Sequence, residues 1–156
     1  MTPLDIDNRR DLILVTESHF AHAIAGEIEA VIDRYDRSEN TYVFVEGPRW
    51  STVGFERIAA GWTAYGKAPF RLTSWRWTEG PFSEVYELAG FTAGIVAFTV
   101  RIGDTEREVV LRGTQVFRRA EEGAWRIVHE HFSEPARDPY GTGDWLQAEP
   151  PSTPRS

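Results

Sequence analysis

The stretch from residue 123 to residue 133 constrains the fold more than any other part of the sequence. It reads Gly-Ala-Trp-Arg-Ile-Val-His-Glu-His-Phe-Ser, so it starts at a turn and then alternates with a period of two. That period is typical of a β-strand whose two faces meet different surroundings. One predicted face carries Trp125, Ile127, His129, His131 and Ser133, and the other carries Arg126, Val128, Glu130 and Phe132. Such a strand needs partners, so the chain is predicted to contain a sheet.

The first part of the chain has mainly helical periodicity. Apolar residues recur every three or four positions from residue 11, stop at Gly26, and recur again over residues 27–36. Glycine inside a helix costs about 1 kcal/mol relative to alanine, so Gly26 predicts a break between two short helices. A third helix is predicted to open at Gly54 and to end before Pro69.

Strand patterns dominate after residue 69. Strands are predicted over residues 41–45, 50–53, 70–78, 82–88, 91–102 and 106–119, in addition to the stretch described above. Gly80-Pro81 predicts a turn or bulge between the strands of residues 70–78 and 82–88, and Gly103-Asp104 predicts a hairpin turn. Helices followed by an antiparallel meander indicate an α+β fold in which the helices cover one face of the sheet.

Length and composition limit the class of protein. A chain of 156 residues forms one ordinary domain with a substantial core. The balance of 24 acidic against 17 basic residues gives a net charge of −7, which argues against a nucleic-acid or anionic-membrane partner. The sequence has no cysteine, which excludes disulfides and thiolate catalysis. No apolar run is long enough for a membrane span, and we expect a cytoplasmic protein.

The predicted domain occupies residues 11–133. Residues 1–10 are polar and are predicted to be a loose lead-in, and residues 134–156 are predicted to be a tail rich in proline. Tyr140 and Trp145 are the candidate anchors of this tail, which we expect to be ordered only where those rings dock.

Several of these segments resemble the nuclear transport factor 2-like (NTF2-like) superfamily, in particular its SnoaL-like and ketosteroid isomerase-like branch. The resemblance rests on the break at Gly26, the hairpin at residues 45–48, and above all on residues 114–119 and 125–133. It implies a cone-shaped α+β fold, in which N-terminal helices pack on a strongly curved, mainly antiparallel sheet. It also implies a pocket between the helices and the sheet, and a homodimer.

The pocket lining implied by this resemblance is mostly apolar. The related kinase association domain presents arginines from three strands, and the corresponding positions here are Thr99, Gln115 and Phe132. A neutral, partly aromatic lining favours a bulky small organic ligand over a dicarboxylate or phosphate. Trp50, Ile58 and Trp62 are predicted to complete the ligand-binding surface, although tryptophans are equally typical of an ordinary core.

Glu130 is the candidate catalytic residue. If Gln115 and Phe132 face the pocket, a period of two brings Glu130 with them, and an apolar pocket raises the pKa of a carboxyl group. A solvated ion pair with a neighbouring arginine is the alternative for Glu130. Glu46 is a second candidate at the mouth of the pocket, where an ordinary exposed carboxylate is the competing interpretation.

The opposite face of the last strand is predicted to be a dimer interface formed by Trp125, His129 and His131. The two histidines could chelate a metal, but a third ligand is not evident, so we predict no metal and no cofactor. A bulge in this strand would invert the assignment of faces beyond it.

Two functions from different classes remain open at this point. One is a cofactor-independent isomerase, cyclase or dehydratase that moves a proton on a ring-shaped substrate, with Glu130 as the acid or base. The other is a non-catalytic ligand-binding or assembly domain. The superfold hosts many functions, and the sequence does not decide whether the protein is an enzyme.

Overall fold

The structure is a computed structural model that describes residues 3–144. Within them the chain forms three helices, α1 (Pro3–Ala25), α2 (Ile28–Asp33) and α3 (Phe55–Lys67). It also forms six strands, which are β1 (Tyr42–Phe44), β2 (Thr52–Val53), β3 (Phe70–Tyr86), β4 (Ala89–Ile102), β5 (Thr105–Arg119) and β6 (Trp125–Ser133). Helices precede the long strands, as the α+β prediction requires.

Helix α1 is longer than the sequence pattern predicts. It begins at Pro3, so the expectation of a loose lead-in is wrong for residues 3–10. Proline suits the first turn of a helix because the amide hydrogen that it lacks would have no partner there. The helix ends before Gly26, whose φ of +74° lies in the left-handed region that glycine tolerates best. The predicted break at Gly26 is therefore confirmed.

The six strands form one sheet in the order β2-β1-β6-β5-β4-β3. Strands β3 to β6 form an antiparallel meander, and β1 adds to β6 in the parallel direction while β2 pairs with β1 antiparallel. The sheet is therefore mainly antiparallel, as predicted. It curls without closing, and helix α1 packs mainly against β3.

Irregularities in β3 bend the sheet around α1. The pairing of β3 with β4 shifts register between Leu72 and Ser74 and again between Trp77 and Phe82. A bulge bends its strand and increases the local twist. The second irregularity contains Gly80-Pro81, where the sequence predicted a turn or bulge.

A bulge in β6 changes the assignment of its faces. Val116 of β5 is opposite His129 whereas Phe117 is opposite Ile127, which leaves Val128 without an opposite residue. Trp125 and Ile127 before the bulge are consequently buried together with Glu130 and Phe132 beyond it. The prediction that Trp125 shares the outer face with the histidines is wrong, because the extra residue reverses the alternation at Val128.

Aromatic side chains fill one end of the space between α1 and the sheet. The buried cluster there contains Phe20, Val96, Phe98, Leu111 and Phe132, with Trp75 and Trp77 packed against it. Gly94 and Gly113 are paired across β4 and β5, and they leave room for these rings. A Cβ on Gly113 would lie 2.6 Å from Phe132, and one on Gly94 would lie 2.8 Å from Trp77.

Tyr140, a predicted anchor of the segment after β6, does not pack against the domain. Tyr140 is 73% exposed, so it does not dock on the domain, and Trp145 lies outside the described residues. No helix within residues 3–144 has the length and apolar character needed to cross a membrane.

Candidate functional site

A buried polar cluster lies next to the aromatic residues described above in the space between the helices and the sheet, and the apolar cluster that contains Leu12, Phe117 and Ile127 lies on its other side. The polar residues Thr16, His19, Thr92, Gln115 and Glu130 are each at most 3% exposed, and Tyr35 is fully buried. They come from α1, from the residues after α2, and from β4, β5 and β6. Burying so many polar groups together is costly unless they bond to one another or to a ligand.

Glu130 is the centre of this cluster. The hydroxyl of Tyr35 donates a hydrogen bond to its Oε1 at 2.5 Å, and Gln115 Nε2 donates to its Oε2 at 2.9 Å. Gln115 and Glu130 are opposite each other in the register of β5 and β6, which explains why their side chains meet. Each carboxylate oxygen retains a second lone pair, so these bonds leave Glu130 able to accept a proton.

Burial raises the pKa of Glu130 from 4.5 to about 7. The hydrogen bonds from Tyr35 and Gln115 lower this pKa, and the charge of Glu46 raises it, but desolvation is the largest cause. A carboxyl group with a pKa near neutrality is present in both protonation states at physiological pH, which general acid–base catalysis requires. No arginine within residues 3–144 forms an ion pair with Glu130, whose two oxygens accept hydrogen bonds from Tyr35 and Gln115.

The neighbours of Glu130 remain uncharged. Burial is the largest cause of the fall in the His19 pKa to about 3, and the charges of Arg34 and His22 contribute. Burial and the charge of Glu130 raise the pKa of Tyr35 well above its ordinary value. Trp62 Nε1 donates to the Tyr35 hydroxyl at 3.0 Å, and His19 Nε2 lies 3.4 Å from the same oxygen. The Tyr35 hydroxyl therefore stays protonated and keeps its proton directed at Glu130.

Two buried acceptor atoms beside Glu130 lack a partner within the described residues. Because the Tyr35 proton points at Glu130, His19 meets the Tyr35 oxygen with a protonated Nε2, and its Nδ1 is then an acceptor. His19 Nδ1 and Gln115 Oε1 are both buried without a hydrogen bond. Unpaired buried acceptors are rare, and they fit a hydroxyl or N–H donor from a water molecule or a ligand.

The structure brings some of the predicted ligand-binding residues to this cluster. Gln115 donates a hydrogen bond to Glu130, and Trp62 donates one to Tyr35. Ile58 is 4% exposed and packs in the neighbouring apolar core. Phe132 packs edge-on against Phe20, with ring centroids 6.0 Å apart, at the aromatic end.

Two other predicted ligand-binding residues lie elsewhere. Trp50 is 95% exposed, so it does not flank a cavity around Glu130. Thr99 lies on the outer face of β4, where the Ser74 hydroxyl donates to its Oγ1 at 2.8 Å. Side chains alternate between the two faces of a strand, and β4 pairs with β5 in regular register. Thr92 faces inward, so Thr99, an odd number of residues later, faces outward.

Glu46 acts on the cluster through its charge. It follows β1, which is parallel to β6 in the register that pairs Val43 with Glu130. The Glu46 side chain is exposed, yet desolvation by surrounding protein atoms raises its pKa. Its charge raises the pKa values of both Glu130 and Tyr35, so it lies within electrostatic range of both.

His129 and His131 lie on the outer face of the sheet in an aromatic group. The His129 ring stacks on Tyr42 with centroids 6.0 Å apart, and the His131 ring meets Phe44 at 5.2 Å. No group of three or more metal-ligating side chains converges anywhere in the part of the chain that the structure describes.

The sequence interpretation missed Tyr35 and His19. The helical spacing of residues 27–36 makes Tyr35 resemble an apolar core position, and no pattern in the sequence brings His19 together with other polar groups. A signal was present, because Thr16 and His19 interrupt the apolar stripe of α1 that contains Leu12, Phe20 and Ala23. Polar residues on a buried helical face indicate polar partners on the element opposite.

Several solved structures have the same architecture. The fold is similar to that of an NTF2-like superfamily protein from Salmonella enterica, with a TM-score of 0.69 and 22% identity over 86% of this chain and 96% of that one. A ketosteroid isomerase-like protein from Erwinia carotovora is similar with a TM-score of 0.66 and 12% identity, over 80% and 94% of the two chains. An NTF2-like protein from Pseudomonas putida reaches a TM-score of 0.69 at 17% identity, over 83% and 88%. The fold is that of the NTF2-like superfamily.

The family follows from the sequence itself. The model of the SnoaL-like domain matches residues 14–137, so the chain belongs to the SnoaL-like domain family. A comparison with curated proteins found no match. The resemblance inferred from residues 114–119 and 125–133 is therefore confirmed, and it establishes the fold and family but no reaction.

Proposed function

We propose that this protein is a small-molecule enzyme of the isomerase, cyclase or dehydratase type, in which Glu130 moves a proton on a ring-shaped, enolisable substrate. One observation carries the proposal, which is a fully buried carboxyl group with a pKa of about 7, held by two neutral donors. Structural ion pairs also perturb pKa values, but a buried carboxyl without a cationic partner is costly for stability alone.

Each neighbour of Glu130 has a role in this chemistry. Glu130 takes a proton from a carbon beside a carbonyl group and returns it to another atom of the same substrate, so no co-reactant is consumed. Gln115 fixes the orientation of the carboxyl group through Oε2. Tyr35 stays protonated, and its hydroxyl is positioned by Trp62. Burial keeps the Glu130 pKa high and the charge of Glu46 adds to this effect, so that Glu130 accepts a proton readily at neutral pH.

Proton exchange tests this function without knowledge of the natural substrate. A panel of cyclic ketones incubated with the protein in D2O should exchange the hydrogens beside the carbonyl, as followed by proton NMR. Glu130→Gln should slow this exchange by roughly 10²- to 10⁴-fold, the usual contribution of a general acid or base. The wild-type rate should rise with pH and level off above the Glu130 pKa of about 7.

Glu108→Gln is the matched control, because Glu108 pairs with Arg76 on an exposed surface and has no contact with the cluster. It should leave the exchange rate unchanged. An equal rate in Glu130→Gln and in the wild type would remove Glu130 from the mechanism. Native mass spectrometry of the purified protein would then identify a retained ligand directly.

The second candidate is a non-catalytic ligand-binding or assembly domain that forms a homodimer through the outer face of β1 and β6. It is supported by the aromatic group of Tyr42, Phe44, His129 and His131, in which Tyr42 is 36% exposed. Exposed aromatic residues are enriched at protein interfaces. Trp125, which is buried, is no longer part of this proposed interface.

Light scattering tests this second candidate. The wild type should be a dimer, and the double variant Phe44→Ala, His131→Ala should shift it toward monomer. Val110→Ala, which changes an exposed apolar residue of β5, is the control and should leave the dimer intact. A monomeric wild type would rule out this interface.

A further inference from the structure

A surface cleft of about 430 Å³ lies apart from the Glu130 cluster, between the first half of α1 and the hairpin that joins β5 to β6. Arg34 and Arg119 line it together with the indole of Trp125. Leu14 and Val15 of α1 provide apolar walls, and Leu14 is 53% exposed. The volume falls within the range of small-molecule sites, which is about 300–1,000 Å³.

The Arg119 guanidinium is held in place but has no anionic partner within the described residues. Its central carbon lies 4.4 Å from the centre of the Trp125 ring, and its Nη2 donates to Asn8 Oδ1 at 3.0 Å. Its Nε is buried and has no hydrogen-bond partner within the described residues. Stacking on an indole is typical of arginines that present their planar fork to an anion.

Arg34 is also held in place, and it too forms no ion pair with a carboxylate in residues 3–144. Its Nη1 donates to the backbone oxygen of Trp125 at 3.1 Å, which leaves its other N–H groups available. Burial lowers the pKa of Arg34, and the positive charge of Arg126 lowers it further. Both causes reflect an unfavourable environment for a cation, and a nearby anion would relieve them.

Partial burial without an ion pair sets these two arginines apart. Within residues 3–144 the partly buried arginines are Arg9, Arg34, Arg119 and Arg126. Arg9 and Arg126 pair with carboxylates, whereas Arg34 and Arg119 form no such pair in that part of the chain, and the other described arginines without a carboxylate partner are exposed. Both are instead held against the same tryptophan, in a protein whose net charge is −7. Two preorganised cations that no carboxylate neutralises are suited to bidentate recognition of an anion.

We propose that this cleft binds an organic monocarboxylate with an apolar body. Its carboxylate pairs with Arg34 and Arg119, and its apolar body lies against Leu14 and Val15. Asp11, whose side chain is exposed at the edge of the cleft, disfavours a second negative charge on the ligand. The cleft therefore selects a monocarboxylate over a dicarboxylate of the same size, independently of any reaction at Glu130.

Isothermal titration calorimetry with 2-naphthoate tests the proposal, and 2-naphthamide and 2,6-naphthalenedicarboxylate serve as matched probes. The monocarboxylate should bind most tightly. Arg119→Gln and Arg34→Gln should each weaken its binding by roughly tenfold or more, because each variant loses a charge-assisted hydrogen bond to the carboxylate. Asp11→Asn should strengthen binding of the dicarboxylate. Arg112→Gln, at an exposed arginine of β5, should change nothing.

Three results would overturn the proposal. These are equal affinity for the naphthoate and the naphthamide, an unchanged dissociation constant in both arginine variants, and no saturable binding to the wild type at millimolar concentration. Thermal unfolding of each variant shows whether it is folded. If Arg34→Gln unfolds because it loses the bond to Trp125, then Arg119→Gln and Asp11→Asn still decide the matter. The cleft can fail this test while Glu130 retains its activity, so the two proposals are separable.

Discussion

The aromatic end of the space between the helices and the sheet and the polar region next to it, called the polar end below, are both largely buried but contain different chemistry. The aromatic end contains Phe20, Trp75, Trp77, Phe98 and Phe132 in edge-to-face contacts. The polar end contains His19, Tyr35, Gln115 and Glu130 in one hydrogen-bonded cluster. The hydroxyl pair of Thr16 and Thr92 lies beside it, since Thr92 is opposite Gln115 in the register of β4 and β5. Helix α1 contributes to both, and Phe20 directly follows His19 in its sequence.

The difference indicates which end serves stability and which serves function. The aromatic rings gain free energy from burial without a desolvation cost. The polar cluster gains less, because each hydrogen bond replaces one that water would make, and Glu130 must also lose its charge or be desolvated. Apolar residues of similar volume would stabilise the polar end at least as well. Its chemistry is thus better explained by a reaction or a ligand than by folding.

Phe20→Ala should have the largest effect on stability. Truncating a buried phenylalanine leaves a cavity and costs about 3–5 kcal/mol of unfolding free energy, which urea denaturation measures. The pKa of Glu130 should stay near 7, because Phe20 contacts the aromatic end only. Thr16→Val on the same helix is the control, and it should cost much less. A large shift of the Glu130 pKa in Phe20→Ala would show that the two ends are not independent.

Glu130 and His19, both in the polar end, should have opposite effects on how stability depends on pH. Glu130 has a folded pKa of about 7, above 4.5, so its contribution to stability falls by about 3 kcal/mol as pH rises from 4.5 to 7. His19 has a folded pKa of about 3, below 6.5, so its contribution rises as pH rises from 3 to 6.5. The two slopes oppose each other between pH 4.5 and 6.5.

Two single variants separate the pH dependence of the unfolding free energy due to His19 from that due to Glu130. In urea denaturation between pH 3 and pH 8, Glu130→Gln should retain only the rise due to His19, and His19→Asn should retain only the fall due to Glu130. The first variant should fold well, because Gln115 can turn its amide and offer the unpaired Oε1 to the new amide group. Identical pH profiles in the wild type and both variants would contradict these pKa assignments.

Tyr35→Phe should have a smaller effect that is confined to the polar end. It removes the donor to Glu130 Oε1 and leaves Trp62 Nε1 without its acceptor, at a cost of about 1–3 kcal/mol. Because the lost hydrogen bond favoured the charged carboxylate, the pKa of Glu130 should rise further. Carbon-13 NMR titration of labelled glutamate would measure this change. A lower pKa in Tyr35→Phe would mean that the hydroxyl does not act as the donor.

Much of the fold was predictable because it depends on local periodicity. The break at Gly26, the helix that follows Gly54 and the strand of residues 125–133 all follow from patterns that span a few residues. The beginning of α1 was missed because residues 3–10 are polar, and a helical segment that contributes little to the core has no apolar stripe.

The candidate site was predictable only in part. Glu130, Gln115 and Trp62 were expected to lie together, and they do. Trp50 and Thr99 were expected to join them and do not, because exposure and the direction of a strand face depend on register. Tyr35 could not be found from its helical spacing, since a tyrosine at a buried position resembles any aromatic core residue until its hydroxyl partner is known.

The sequence by itself determined the α+β class, the family and the inward direction of Glu130, because alternation and motif are properties of neighbouring residues. Only the tertiary structure decided what surrounds Glu130 and which way Trp125 faces. A single extra residue at Val128 reverses the face of everything before it, and the pKa of Glu130 depends on groups up to 95 positions away in the chain. Such effects arise from register and desolvation, which exist only once distant segments have packed together.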